Sequence, residues 1–501
     1  MLEDLFEREY GKEVLLAVLE ANSQAMRKTE DWKKKMRAEY GGKSKQAWEK
    51  TRIGFSIDDV RNVLTTNGIF VNPEPTLTQL MKRGILKKLG NNTFYLIDPA
   101  IIENEIQTFE RTLSEKMQAI NPTAKEELIE IEKMDAEFEK HLHDVLFNHL
   151  DETIEFGKKF NTEILAEYLQ NIFGDVLYFD TLLSIVHQYG LADVEIISPN
   201  LKVTGHTGFS ISFFGPPGTG KTFTIDDMIR GNSRLGVPSH GLPGKNRYCG
   251  GMTPAQFIRI GEAYAGRKFN FIVPEFNDWF KYKGMVEPLK LVMEQREVKY
   301  ESTIGTIGPY RFSSFFSVNY NTRSEGFGYE VTISDPNFSA IEDRMLCRLH
   351  LMSKERFLAI EESNARLELG EIDFALAEKI RHHLTLVYAI QTRHPLVSGK
   401  FPYKPIKLNK KIYEIFKNVN STILEHIESI NFSPRLQSRA IKLACAMSML
   451  EYFNNDNLEI EISLKNLRYA VRFYLEEVST RQKQRFDPGI VLDALSAGAG
   501  I

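Results

Sequence analysis

Three cysteines in 501 residues, Cys249, Cys347 and Cys445, are too few and too widely spaced for a disulfide framework or a cysteine zinc site. Their odd number fits a reducing compartment. No uncharged apolar run is long enough to span a bilayer. The amino terminus, Met1-Leu2-Glu3-Asp4, lacks the basic stretch that opens a secretory signal. These absences give the expectation of a cytoplasmic chain with no membrane partner. A formal net charge of −4 lacks the basic excess that holds nucleic acid by bulk electrostatics, so any such contact must come from local patches. Internal repeats and low-complexity tracts are also missing. What remains is ordinary globular composition, 42% hydrophobic and 26% charged, over a length that suits about three domains.

One segment carries most of the chemical information. Gly215, Pro216, Pro217, Gly218, Thr219, Gly220, Lys221 and Thr222 follow an apolar run, Phe209 to Phe214, and precede a helix-like run, Phe223 to Ile229. Strand, glycine-rich loop and helix in that order form a P-loop. The glycines let backbone N–H groups turn inward around phosphate, Lys221 reaches the β- and γ-phosphates, and the Thr222 hydroxyl ligates Mg²⁺. A nucleoside triphosphate, ATP first, is the expected cofactor together with Mg²⁺.

Further along, Phe269 to Val273 is an apolar strand that leads into Pro274-Glu275. A triphosphatase places its magnesium-orienting acid and its water-activating carboxylate at such a strand end. Pro274 stands where the first acid belongs, and Glu275 stands where the general base belongs. A helix over 286–294 precedes a hairpin built from 298–302, a turn through Gly305 to Gly308, and 310–312. A strand from Ser314 then ends in Asn319-Tyr320-Asn321-Thr322, whose polar side chains can hold the lytic water. Ala340 to Arg344 sets an arginine beside Asp343 near a helix end, and Ser433-Pro434-Arg435 opens an apolar helix.

The amino-terminal part has its own pattern. Residues 1–26 are helical by periodicity and lead into a basic arm from Arg27 to Arg52. Ser56 and Asp59 form a capping box for a helix to about Thr65. Thr76 is a candidate cap for a second helix that ends before Gly84. Residues 85–88, a Gly90-Asn91-Asn92 turn and 93–97 then read as a hairpin. Helix, helix and basic-edged hairpin resemble a winged helix-turn-helix. Its second helix would present Thr78, Gln79, Lys82 and Arg83, and its wing Lys87, Lys88 and Asn91. Such modules bind DNA or dock proteins. His141 and His149 share one face of a charged helix over 123–150, a spacing read as core or solvated surface in preference to a metal pair.

In this order the motifs resemble the AAA+ superfamily, and within it the branch with a hairpin before the sensor 1 strand, which holds the MCM helicases and MoxR-type ATPases. Met293-Glu294-Gln295 is similar to that branch's helix end. The resemblance covers about residues 200–480. It implies an α/β fold: an AAA+ P-loop core over 201–370 and a helical lid with a carboxy-terminal tail over 371–501. A basic arm and winged helix over 1–100 and a helical connector over 101–200 come first. It further implies that Glu275 activates water, that Asn321 is sensor 1 with Asn319 its rival, that Arg344 is a finger reaching a neighbouring subunit, and that Arg435 is sensor 2 closing the lid. A homo-oligomer, a hexameric ring, follows from the finger. Met252 and the 298–312 hairpin would face its pore, where Lys299 and Arg311 would grip a polyanion.

The expected function is an ATP-driven ring motor on DNA, similar to an MCM-type helicase of an archaeal or mobile-element replication system. The alternatives are a MoxR-like ATPase that remodels a protein client, and a DNA-bound regulatory switch. Two departures from the family pattern bear on the choice. Pro274 replaces an acid, and 231–270 shows no inserted helix-2 hairpin, the element that faces DNA in the MCM branch.

Overall fold

The computed structural model describes residues 2–6, 10–40, 51–67, 69–90, 92–120, 122–198, 201–302, 305–326, 328–333, 335 and 337–490. Contacts divide the chain once, into Met1–Pro122 and Thr123–Ile501. The stretch expected to be a connector over 101–200 therefore falls into both units, and most of it belongs to the second.

The first unit opens on a long helix, Gly11–Tyr40. Val14, Leu15, Val18, Ala21 and Ala25 recur at helical spacing and are buried. The helix runs straight through the first part of the basic arm, leaving Arg27, Lys28, Lys34 and Lys35 exposed. Residues 41–50 of the arm lie outside the described residues. The capping box is present: the Ser56 hydroxyl accepts from the Asp59 amide at 3.1 Å, and Asp59 accepts from the Ser56 amide at 2.7 Å. It starts the helix Ile57–Thr66. A second helix, Glu74–Lys82, is entered through Pro73, and Thr76 is buried inside it instead of capping it. Strands Leu86–Gly90 and Thr93–Leu96 pair antiparallel, and Phe55–Ser56 completes a three-stranded sheet. Phe55, Val60, Leu64, Leu77, Leu80, Ile85 and Phe94 close one apolar core.

The second unit is mixed α/β around a parallel sheet. Its strands are Ser210–Gly215 (β1), Asn246–Tyr248 (β2), Asn270–Val273 (β3), Phe315–Glu325 (β4) and Met345–Leu349 (β5). Their spatial order is β5-β1-β4-β3-β2, with every neighbour parallel. Ile211, Phe213, Phe271, Ile272, Phe316 and Val318 are fully buried, as strands covered on both faces require. Gly328–Val331 pairs with the outer half of β4.

Helices Pro122–Asn148 and Thr162–Gly190 are part of this unit's core and not a spacer. Leu142, Val145, Leu182 and Val186 share one apolar cluster with Ile211 of β1 and with Leu384, Leu443 and Val471 beyond the sheet. Glu127 pairs with buried Arg247 at 2.6 Å, and Asp135 pairs with Lys245 at 2.5 Å. Gly174, at φ 71°, breaks the second helix in a conformation that a side chain disfavours. Strands Glu195–Ser198 and Leu201–His206 join Ile406–Lys407 and Ile460–Glu461 in a small sheet, which binds the segment before the P-loop to the carboxy-terminal helices. Those helices are Ala377–Gln391, Lys410–Leu424, Arg435–Ser448 and Leu464–Gln482.

The hairpin is Glu297–Ser302 with Gly305–Arg311. Gly305 pairs with Ser302 and Thr306 with Glu301, so Gly305 to Gly308 belong to the second strand and not to a turn. Residues 231–270 hold a tight antiparallel reversal between Asn232 and Val237, then β2, the helix Pro254–Ala263, which no insertion interrupts, and the start of β3. The three cysteines are buried and unpaired. Among the described residues, no helix is long and apolar enough to cross a membrane.

Candidate active site

The P-loop leaves the carboxyl end of β1 between β5 and β4. Gly215, Gly218 and Gly220 take φ values of 151°, 79° and 84°. At Gly215 a Cβ would meet the His350 carbonyl oxygen at 2.3 Å, so the loop and the end of β5 approach too closely for any other residue. The following helix carries a π-helical turn, Phe223–Asp227, and ends at Gly231. Its last carbonyls are satisfied by the His240 and Gly241 amides at 2.8 and 3.0 Å. The short helix is thus pinned at its far end, and its free amides point at the loop.

Lys221 is buried and folded back. Its Nζ donates to the Gly215 and Pro216 carbonyls at 3.0 and 2.7 Å. Burial pushes its ammonium down to about 8, against the upward pull of the Glu275 carboxylate. An ammonium held by two carbonyls and short of charge compensation is the group that a phosphate would satisfy. Glu275 itself is exposed at the end of β3, beyond buried Pro274, and caps a short helical turn, Phe276–Phe280. Asp278, the other acid able to stand in for the one replaced by Pro274, is bonded to Lys281 at 2.8 Å.

Asn319 and Asn321 have different surroundings. Asn319 is buried, and its side-chain amide donates to the Thr222 hydroxyl at 2.9 Å. Asn321 is half-buried, and its backbone is held by the Asn277 side chain and the Thr332 hydroxyl. The residue that touches the P-loop is therefore the rival and not the first choice from sequence. Alternation puts both on one face, and only the register separates them: Asn319 lies opposite Phe213, and Asn321 lies opposite Gly215.

Arg344 and Arg435 are brought together, away from their own P-loop. Arg344 immediately precedes β5, whose first residue pairs with Ser210 at the start of β1. The P-loop leaves the other end of β1, about 16 Å away at ~3.3 Å per residue. Arg344 is docked on Glu294 and donates to the Ala340 carbonyl at 2.5 Å. Arg435 bonds Asp343 at 3.0 Å and lies 3.9 Å from Glu294, and the Ser433 hydroxyl bonds Asp343 at 2.6 Å. Arg435, expected as sensor 2, is thus held by Asp343 beside Arg344 and not at its own P-loop.

Sequence reasoning missed a buried polar node behind the loop. Arg356 donates to the Thr219 carbonyl from Nε at 3.1 Å and from Nη2 at 2.9 Å, and to Asp180 at 2.7 Å. Asp180 also bonds Arg348 at 2.8 Å. Burial pushes the Asp180 carboxyl up, but His350, Arg348 and Arg356 hold it well below the ordinary carboxylate range. The signal was a lone acid inside the apolar run Val176 to Val186. Arg356→Ala should leave Asp180 short of a partner and the loop carbonyl without its donor. Unfolding should become easier by about 3–5 kcal/mol, the usual cost of breaking a buried pair. Arg356→Lys should not rescue it, because a single ammonium lacks the planar fork whose separate nitrogens reach the Thr219 carbonyl and Asp180 together. Denaturant titration checks both variants.

Beside the node, Phe173, Leu177, Phe223, Ile360 and Leu367, together with Gly220, Thr181 and Asn364, line a small cavity of about 80 Å³. Phe173 meets Phe223 edge to face at 5.6 Å. A planar base would enter this apolar cavity only if it widened.

In the first unit, Lys82, Lys87 and Lys88 are exposed, whereas Arg83 is committed to both oxygens of Asp4 at 2.7 Å. Asn91 lies outside the described residues. Lys299 is paired with Glu301 at 2.5 Å, Arg311 is exposed, and Met252 is half-buried on the loop after Gly251. No protein-family model matches the chain, and no curated protein matches it.

Proposed function

We propose that this chain is an ATP-hydrolysing P-loop ATPase of the AAA+ kind, that it works as a ring, and that its working partner is DNA. The observation that carries the reading is the convergence of three strand ends on one loop. Lys221 and Thr222 follow β1, Asn319 on β4 bonds Thr222, and Glu275 after β3 lies close enough to raise the Lys221 ammonium. These are the parts that phosphoryl transfer to water needs: a cation and Mg²⁺ ligand on the phosphates, a water-activating carboxylate, and a polar side chain that holds the water. Asn319 takes the sensor role in this reading. The cavity lined by Phe173 and Phe223, once widened, takes the base.

A ring is supported by position. Arg344 and Arg435 sit at the opposite end of the sheet from their own P-loop, so a transition-state role for either must be played in a neighbour's site. Both arginines are then trans elements, with Glu294 and Asp343 holding them until the interface forms.

DNA is favoured by the exposed cations of the first unit. The helix over 74–82 and the hairpin over 86–96 carry Lys82, Lys87 and Lys88 outward, on a helix–helix–hairpin arrangement like that of a winged helix. Protein remodelling is the second reading, supported by the continuity of the helix Pro254–Ala263, which carries no inserted hairpin, and by the Arg83–Asp4 pair.

DNA stimulation of the ATPase separates the two readings. Each phosphate contact adds about −0.9 to the slope of log K against log salt, so neutralising Lys82, Lys87 and Lys88 together should flatten the duplex-binding slope by up to ~2.7. Neutralising Arg83 should change it less, because Arg83 must leave Asp4 first. Basal ATP hydrolysis should survive both changes. An unaltered slope, with no DNA stimulation of the unmodified protein, would transfer the proposal to a protein client.

A further inference from the structure

The helix Pro122–Asn148 ends beside the helix Ala377–Gln391, far from the P-loop in sequence and unrelated to the phosphate-binding residues. Three side chains with metal-ligand chemistry meet there. Asp144 is in the last turn of the first helix, and His149 follows its end and opens the short helix Leu150–Gly157. His382 faces them from the other helix. One ligand atom from each of the three falls within 4.8 Å of the others. His149 Nε2 is 3.9 Å from Asp144 Oδ2, and the His149 and His382 rings stack at 4.6 Å.

We propose that Asp144, His149 and His382 bind a divalent transition-metal ion of the Zn²⁺ class. One feature points to a ligand and not to packing alone. His382 is 6% exposed, and its Nε2 has no hydrogen-bond partner. His141, whose ring lies 5.3 Å from that of His382, likewise buries an Nε2 without a partner. The His382 nitrogen, left bare beside a carboxylate, is a cost that a metal ion bound here removes; His141 lies outside the ligand set.

The donor set selects the ion. Two imidazoles and a carboxylate suit Zn²⁺, Co²⁺ or Ni²⁺, whereas Mg²⁺ prefers an all-oxygen octahedron. Bonds of about 2.0–2.1 Å place tetrahedral ligand atoms about 3.4 Å apart, so the observed spacing needs side-chain adjustment of about 1 Å. Glu378 Oε1, 3.9 Å from His382 Nε2, is near enough to swing into a fourth position. Asn148 donates to the other Asp144 oxygen at 2.7 Å and orients the carboxylate, as outer partners of metal ligands do. Arg381 is the opposing cation. Asp144, Glu152 beside His149 at 3.7 Å, and Glu378 outnumber it. Bound metal would staple the segment before the P-loop to the helix Ala377–Gln391.

The test uses the full-length chain, stripped with chelator and titrated with Zn²⁺ alone. The expected result is one Zn²⁺ retained per chain through desalting, undisturbed by a large excess of Mg²⁺. Co²⁺ should give the visible absorption of a tetrahedral site. His149→Ala and Asp144→Asn should each lose stoichiometric binding. Asn148→Ala should weaken binding by about 10–100-fold. His143→Ala, an exposed neighbour stacked on Phe147, should bind like the unmodified protein. Should His149→Ala fail to fold, the isosteric Asp144→Asn decides. Failure of the unmodified protein to retain Zn²⁺, or undiminished binding in Asp144→Asn, overturns the site.

Discussion

Rings mixed from Arg344→Ala and Lys221→Ala subunits should hydrolyse ATP where neither pure ring does. Lys221→Ala removes the cation that meets the phosphates, so its own site is dead while its Arg344 is intact. Arg344→Ala keeps a complete P-loop, Asn319 and Glu275, but presents no guanidinium to its neighbour. The sheet fixes the reason for complementation. Arg344 stands just before Met345, which is level with Ser210, and the phosphates would lie beyond Gly215. An arginine side chain cannot span that length within one subunit. Loss of a finger supplied in trans costs ~10³–10⁵ in kcat, so Arg344→Ala alone should approach the background of Lys221→Ala. In a mixed ring some interfaces pair an intact loop with an intact finger, and activity should rise to a maximum at intermediate mixing ratios. Because Arg344 is docked on Glu294, the variant's fold and assembly need checking by circular dichroism and light scattering. Flat activity across all ratios, with mixed rings verified, would leave Arg344 as a structural tie to Glu294.

What could be read in the sequence depended on how local each signal is. The P-loop, the strand before Glu275 and the Ser56–Asp59 capping box are written in consecutive residues, and each stands where its pattern places it. The choice between Asn319 and Asn321 was not local. Both occupy the same face of β4, and only pairing with β1 brings the first against Thr222. The Asp180–Arg356 node joins positions 176 apart, and His382 meets Asp144 across a still longer stretch, so no spacing rule finds either. The division by contacts differs from the expected domains for a related reason. The helices over 122–148 and 162–190 read as a connector because their partners, Arg247, Leu384 and Leu443, come later in the chain. The surroundings of Arg435 were not legible because its motif gives a helix start and not the direction in which that helix faces. That direction is set by Asp343 and Glu294.

Glu275→Gln should bind ATP and fail to turn it over. The side chain is exposed at the carboxyl end of β3, and its charge acts on Lys221. Replacing the carboxylate by an amide keeps the shape and removes the proton acceptor, which typically costs ~10²–10⁴ in rate. ATP affinity should hold or tighten, because one negative charge near the triphosphate is gone. The variant should therefore accumulate as an ATP-bound assembly, visible as nucleotide that co-elutes with the ring. Pro274 makes a second change informative. It is buried where a magnesium-orienting acid would stand, and Asp278, the nearest substitute, is already bonded to Lys281. Pro274→Asp should raise kcat and lower the Mg²⁺ concentration needed for half-maximal rate, provided the strand end keeps its fold. The two changes also separate the roles, since Pro274→Asp combined with Glu275→Gln should bind Mg²⁺ better and still not hydrolyse. An unchanged kcat in Glu275→Gln would mean that another group activates the water and that the end of β3 does not carry the chemistry assigned to it.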